Sequence, residues 1–119
     1  MGKFDFEKLD VYQKALDFID KIFDLFEKLP YRIQTSIGNN LLRAAVSIAN
    51  NIAEGSGRRG RKEKRHHFEI SQGSAFECIP MLTILCNKNK MPKETYESLY
   101  NDCYVISKML SGLITHFSK

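Results

Sequence analysis

The sequence predicts an all-α protein, an antiparallel up-and-down four-helix bundle. Three observations predict it. Apolar residues recur at steps of three and four in four separate stretches, which is the spacing of one helical face. Only 3 prolines and 7 glycines interrupt the chain, so its elements are long. Strand-like alternation is nowhere sustained. The 119 residues suit one domain spanning 1–119. A hydrophobic fraction of 43% can supply its core.

The first helix starts at Asp10-Val-Tyr-Gln13, where Asp10 can cap free amides and Gln13 can reach back in a capping box. Val11, Ala15, Phe18, Ile22, Leu25 and Leu29 form one apolar line, and Tyr12, Leu16, Ile19, Phe23 and Phe26 a second. Pro30 ends the helix. The second helix runs from about Ile33 to Glu54 on Ile37, Leu41, Ala44 or Ala45, Ile48 and Ile52. The small Ala44, Ala45, Ala49 and Ala53 allow close approach of a neighbour. Gly55-Ser-Gly57 is read as its stop, with glycine in a left-handed conformation.

The third helix starts near Gly60 and reaches about Asn87, with Phe68, Ala75, Ile79 and Leu82 on its apolar face. Gly73-Ser74 sits inside it, where Gly costs about 1 kcal/mol relative to Ala. Pro80 removes a backbone donor and predicts a bend or break. Pro92 fits the first turn of a fourth helix, with Glu94 favouring its positive end. Tyr96, Leu99, Cys103, Ile106, Leu110, Leu113 and Phe117 then form the clearest heptad in the chain. The expected core contains Leu16, Ile19, Phe23, Leu41, Ile48, Ile52, Phe68, Ile79, Cys103, Ile106, Leu110 and Leu113. Phe4, Phe6, Phe18, Phe23 and Phe26 exceed what one bundle face needs, which points to a homo-oligomer.

The net charge of +4 is local. Residues 1–57 hold 7 basic and 8 acidic side chains, and residues 66–119 hold 5 of each. Residues 58–65 hold 6 basic and 1 acidic, so the whole excess lies in one short linker. Arg58, Arg59, Arg61, Lys62, Lys64 and Arg65 are therefore the candidate contacts for RNA or DNA, through phosphate rather than bases. The alternative is a solvated charge run without a ligand. No aromatic residue interleaves the run, so base stacking is not signalled.

A polar line of Asn40, Arg43, Ser47, Asn51 and Glu54 crosses the second helix, and Glu77 lies on the third. Arg43, Asn51, Glu54 and Glu77 read as a structural polar network that fixes helix register, with Arg58 as a further partner. The other reading is a site open to a ligand.

Catalysis is not signalled. Glu63-Lys-Arg-His66 is the only pair with di-iron spacing, and it lies among cations. There is no nucleophile elbow and no phosphate loop. No cofactor and no metal are expected. Cys78, Cys86 and Cys103 lack zinc-ligand spacing and read as free core thiols. No segment resembles a signal peptide, and no uncharged apolar stretch approaches the roughly 20 residues that span a bilayer. The expected location is the cytoplasm.

Leu41-Leu-Arg-Ala-Ala-Val-Ser-Ile48, Asn51-Ile-Ala-Glu-Gly55 and Gly73-Ser-Ala-Phe-Glu77 carry a family resemblance. The chain resembles the four-helix-bundle proteins encoded in intervening sequences of bacterial large-subunit ribosomal RNA genes. Similar proteins include the accessory protein of diversity-generating retroelements, which partners a reverse transcriptase. The resemblance spans nearly the whole chain. It implies a ring of five bundles with a basic surface that binds RNA or DNA. Asn40 stands where the family usually has Gln, Leu42 where it has a second Arg, and Ala49 where it often has Pro. The alternative function is a structural adaptor that recruits a protein, such as a nucleic-acid enzyme.

Overall fold

The computed structural model describes residues 2–119; Met1, the start of the expected domain, lies outside them. A 3-10 turn, Asp5–Lys8, leads into α1 (Asp10–Lys28). A helical turn, Tyr31–Ile33, and a π turn, Gln34–Gly38, lead into α2 (Asn39–Gly57). Then come α3 (Arg61–Asn87) and α4 (Lys93–His116). Among the described residues there is no strand.

The helices pack as a square. α2 lies between α1 and α3, α3 lies between α2 and α4, and α4 closes back on α1. Each link is too short for a crossover, so sequential helices run antiparallel. The long axis of 44 Å is close to the roughly 40 Å that a helix of α3's length occupies at 1.5 Å per residue.

The core follows the predicted stripes, with one change of phase. In α1 the first line, Val11, Ala15, Phe18, Ile22, Leu25 and Leu29, is buried. The second line turns sideways. Leu16 is 38% exposed and Phe23 45% exposed, and Ile19 is half-buried. Leu16 and Phe23 therefore do not belong to the core. One helix can aim only one stripe at the bundle axis, and in this phase Lys21 faces α4. Its Nζ donates to Asp102 Oδ2 at 2.9 Å and to Ser98 Oγ at 3.3 Å on α4. With Lys21 facing α4, Leu16 and Phe23 lie on the other side of α1, toward the α1–α2 flank. Phe18, expected in excess, is fully buried. Ile79 and Leu113 pack only at the core's margin, while the other expected core residues are buried.

Several boundaries differ from the sequence reading. Asp10 is the first residue of α1 rather than its cap, and Leu9 precedes it. Gln13 Nε2 instead donates to the Glu7 carbonyl at 2.9 Å, tying down the 3-10 turn. Gly55 and Gly57 lie inside α2, which ends at Arg58 in an extended conformation (φ −77, ψ 151). The left-handed residue is Asn89 (φ 58), just after α3. Pro80 does not break α3. It sits on the exposed side, where water can serve the carbonyl left unbonded one turn back. Pro92 precedes the first residue of α4.

Two opposite flanks keep apolar side chains in solvent. The α1–α2 flank carries Leu16 and Phe23, beside half-buried Leu42 and Val46. The α3–α4 flank carries Phe76 (57% exposed), Tyr100 and Tyr104 (56% exposed) around a shallow groove floored by Ala75 and Cys103. Cys103 and Cys78 are buried free thiols. The Cys78 side chain and burial hold the Cys103 thiol far up in pKa, so it stays protonated and inert.

The α4 heptad is the most regular part of the core, with Leu99, Cys103, Ile106 and Leu110 all buried. Leu110→Ala removes a fully buried side chain and should cost about 2–5 kcal/mol in urea unfolding. A cost below about 1 kcal/mol would mean that this stripe does not form the core.

Candidate nucleic-acid interface

The basic linker sits at one end of the bundle, where α2 stops and α3 starts. Its shape is set by the α2–α3 contact. A methyl group on Gly55 would come within 2.9 Å of the Phe68 ring and 3.2 Å of His67 Cβ. Glycine is therefore needed for the close approach of the two helices, not for a helix stop. Phe68 is buried there and stacks on Phe117 at 5.8 Å between centroids.

Three of the six cations are engaged within the chain. Arg58 donates through Nε (3.2 Å) and Nη2 (3.0 Å) to Glu54 Oε2, one turn back. Arg61 Nη2 donates to the His116 carbonyl at 2.6 Å, and its guanidinium lies 5.1 Å from the Phe117 ring centre. Lys64 Nζ donates to the Ser56 carbonyl at 2.9 Å and the Gly55 carbonyl at 3.4 Å. Arg61 and Lys64 thus meet carbonyls at the C-terminal ends of α4 and α2, where cations are favoured. Arg59, Lys62 and Arg65 make no hydrogen bond or ion pair among the described residues. Arg59 and Lys62 are exposed and Arg65 is half-buried. Arg58, Lys62, Arg65, His66 and His67 share an open groove with Glu63 and Glu69.

The expected network of Arg43, Asn51, Glu54 and Glu77 is not assembled. Arg43 and Glu77 are exposed and bond to none of the others. Glu54 pairs only with Arg58, on the surface. Asn51 alone joins a seam between α2 and α3, and its partners are hydroxyls and an imidazole. Asn51 Nδ2 donates to the Ser47 carbonyl (3.0 Å) and Ser47 Oγ (3.1 Å), and Asn51 Oδ1 lies 3.2 Å from His67 Nδ1. Ser74 Oγ donates to Ser47 Oγ at 2.9 Å and to the Ile70 carbonyl at 3.1 Å. Ser71 Oγ donates to the Ile48 carbonyl at 2.8 Å from a fully buried position. Small hydroxyls satisfy themselves across a tight interface, whereas Arg43 and Glu77 would have to lose hydration to enter it. Ser71 and His67 were not singled out from the sequence. The available signal was their spacing, which puts both on the α2 side of α3.

The two helix-interior glycines make opposite predictions. Gly55→Ala forces a buried ring to move and should destabilise the fold by about 1–3 kcal/mol. A Cβ on Gly73 would meet nothing within 4 Å, so Gly73→Ala should stabilise by up to about 1 kcal/mol through helix propensity alone. Chemical unfolding of both variants checks the signs. Equal signs would contradict the role assigned to Gly55.

The described residues contain no helix long and apolar enough to cross a membrane. No curated protein sequence matches the chain. Among solved structures, one neighbour is a protein of unknown function from the S23 ribosomal protein family of Bacteroides thetaiotaomicron. It is 27% identical, with a TM-score of 0.79, over 87% of this chain and 97% of that chain. The family model described as 23S rRNA-intervening sequence protein matches residues 7–112, and the chain belongs to that family.

Proposed function

We propose that this chain is a non-catalytic, nucleic-acid-binding bundle that works as a cytoplasmic homo-oligomeric ring and uses the linker between α2 and α3 as its contact surface. The observation that carries the reading is the concentration of the entire net positive charge in residues 58–65, at an exposed end of the bundle. Phosphate backbones answer such a cluster and release counterions as they bind. Phosphate contacts position a protein without reading bases, so discrimination between sequences is poor.

The ring reading is supported by the two apolar flanks. In a square bundle the α1–α2 and α3–α4 flanks face opposite ways. A contact between Leu16 and Phe23 of one copy and Phe76 and Tyr104 of the next is head-to-tail, and such contacts close into rings when the rotation permits. Five copies are what the family resemblance implies. A ring repeats the linker, and weak single contacts then combine through avidity.

The second reading, an adaptor for another protein, is favoured by the same exposed α3–α4 flank. Salt response separates the two. Binding to RNA or DNA through this linker should fall linearly on a log–log plot against salt, by about 0.9 per phosphate neutralised on duplex DNA and 0.7 on single strands. Slopes should be alike across unrelated sequences. An absence of binding at low salt, or affinity indifferent to salt, would leave the adaptor reading in first place. For assembly, light scattering should return a multiple of the 13.7 kDa chain mass, and Phe76→Glu should reduce it toward the monomer with helicity retained. A monomer mass for the parent across micromolar concentrations would remove the ring.

A further inference from the structure

We propose that within the basic linker Arg59, Lys62 and Arg65 contact the phosphates of a duplex, while Arg61 and Lys64 are clamps that hold the linker in shape and Arg58 is neutralised by Glu54. This deepens the reading of the linker as a polyanion interface and rests on it.

The division follows from where the donors go. Lys64 directs its ammonium at two carbonyls, Ser56 and Gly55, and is half-buried. Two of its three N–H donors already point at the end of α2, which leaves at most one for an outside anion. Arg61 bridges to the His116 carbonyl, 55 residues away, and lies against Phe117. Arg58 has its charge met by Glu54 at 3.0 Å. Arg59, Lys62 and Arg65 have no such partner among the described residues. Lys62 and Arg65 are three residues apart on one helix, so they share a face, and Arg59 lies in the linker just before it. Glu63 and Glu69 line the same groove and oppose an anion, which keeps each single site weak.

The ligand class follows from what the surface lacks. Binding of single strands relies on aromatic platforms for the bases. The run from Arg58 to His67 contains no Phe, Tyr or Trp, and its only rings are the imidazoles of His66 and His67. At the clamp, Phe68 is buried, and Phe117 is half-buried and covered by Arg61 and Lys64. With phosphates as the sole target, the denser charge of a duplex is the better partner.

The test is fluorescence anisotropy of the full-length chain with short random-sequence duplex DNA, duplex RNA and the matching single strands. Three phosphate contacts give a duplex slope of about −2.7 per engaged subunit, or roughly a 40-fold loss between about 50 and 200 mM salt. The variant R59Q/K62Q/R65Q should lose that slope, with its thermal midpoint nearly unchanged. The variant R61Q/K64Q should melt several degrees lower yet keep the parent's slope when assayed while folded. If the double variant does not fold, Lys64→Gln and Arg61→Gln are read singly. Equal loss of slope in both sets of variants would overturn the division. Tighter binding of single strands than of either duplex would overturn the ligand class. A parent chain that binds none of the four probes at low salt would overturn this inference together with the reading beneath it.

Discussion

The close contact between α2 and α3 is the constraint on which the rest depends. Gly55 lets the α2 backbone approach the Phe68 ring, and no side chain fits between them. A row of serines continues the contact along the helices, with Ser71 bonded to the Ile48 carbonyl and Ser74 to Ser47. Every buried side-chain polar atom among the described residues has a partner, which is the condition under which a polar seam specifies register without a large penalty. Because the two helices are fixed so tightly, the short link between them has little freedom.

Charge is then used in two ways at that link. Like charges packed closely repel, and a folded chain must either separate them or neutralise them. Here α2 and α4 end close to the start of α3, and their terminal carbonyls receive Lys64 and Arg61. Those cations stabilise helix ends that would otherwise be left to water. The cations with no carbonyl in reach remain on the outer surface. One run of sequence thus serves both the fold and the surface, and residue type alone does not separate the two uses, since each group contains Arg and Lys.

Most of the architecture was legible in the sequence because helical burial leaves a period of three and four. The first stripe of α1 is buried as read, and so is the middle of the α4 heptad from Leu99 to Leu110, while Tyr96, Leu113 and Phe117 are half-buried. The phase of α1 was not legible. Two apolar stripes lie side by side, and the choice between them depends on how the other helices pack against α1, which its own sequence does not show. Gly55 was misread because glycine serves both helix stops and close packing, and only the position of Phe68 tells them apart. The Arg43–Glu77 network was inferred from opposite charge, but charged groups stay hydrated when small hydroxyls can fill the seam. The basic cluster was visible as composition. Its division into clamps and free cations was not, because the carbonyl that receives Arg61 belongs to a helix end 55 residues away.

The claim that this end of the bundle is the functional surface has one direct measurement. Hydrogen–deuterium exchange, read by peptide with and without a short duplex at low salt, maps protection onto the chain. The account predicts that added protection is confined to the linker and the first two turns of α3, with α1 and the outer face of α2 unchanged. Protection on the Phe76–Tyr104 flank with none at the linker, or no protection anywhere under saturating duplex, would contradict it.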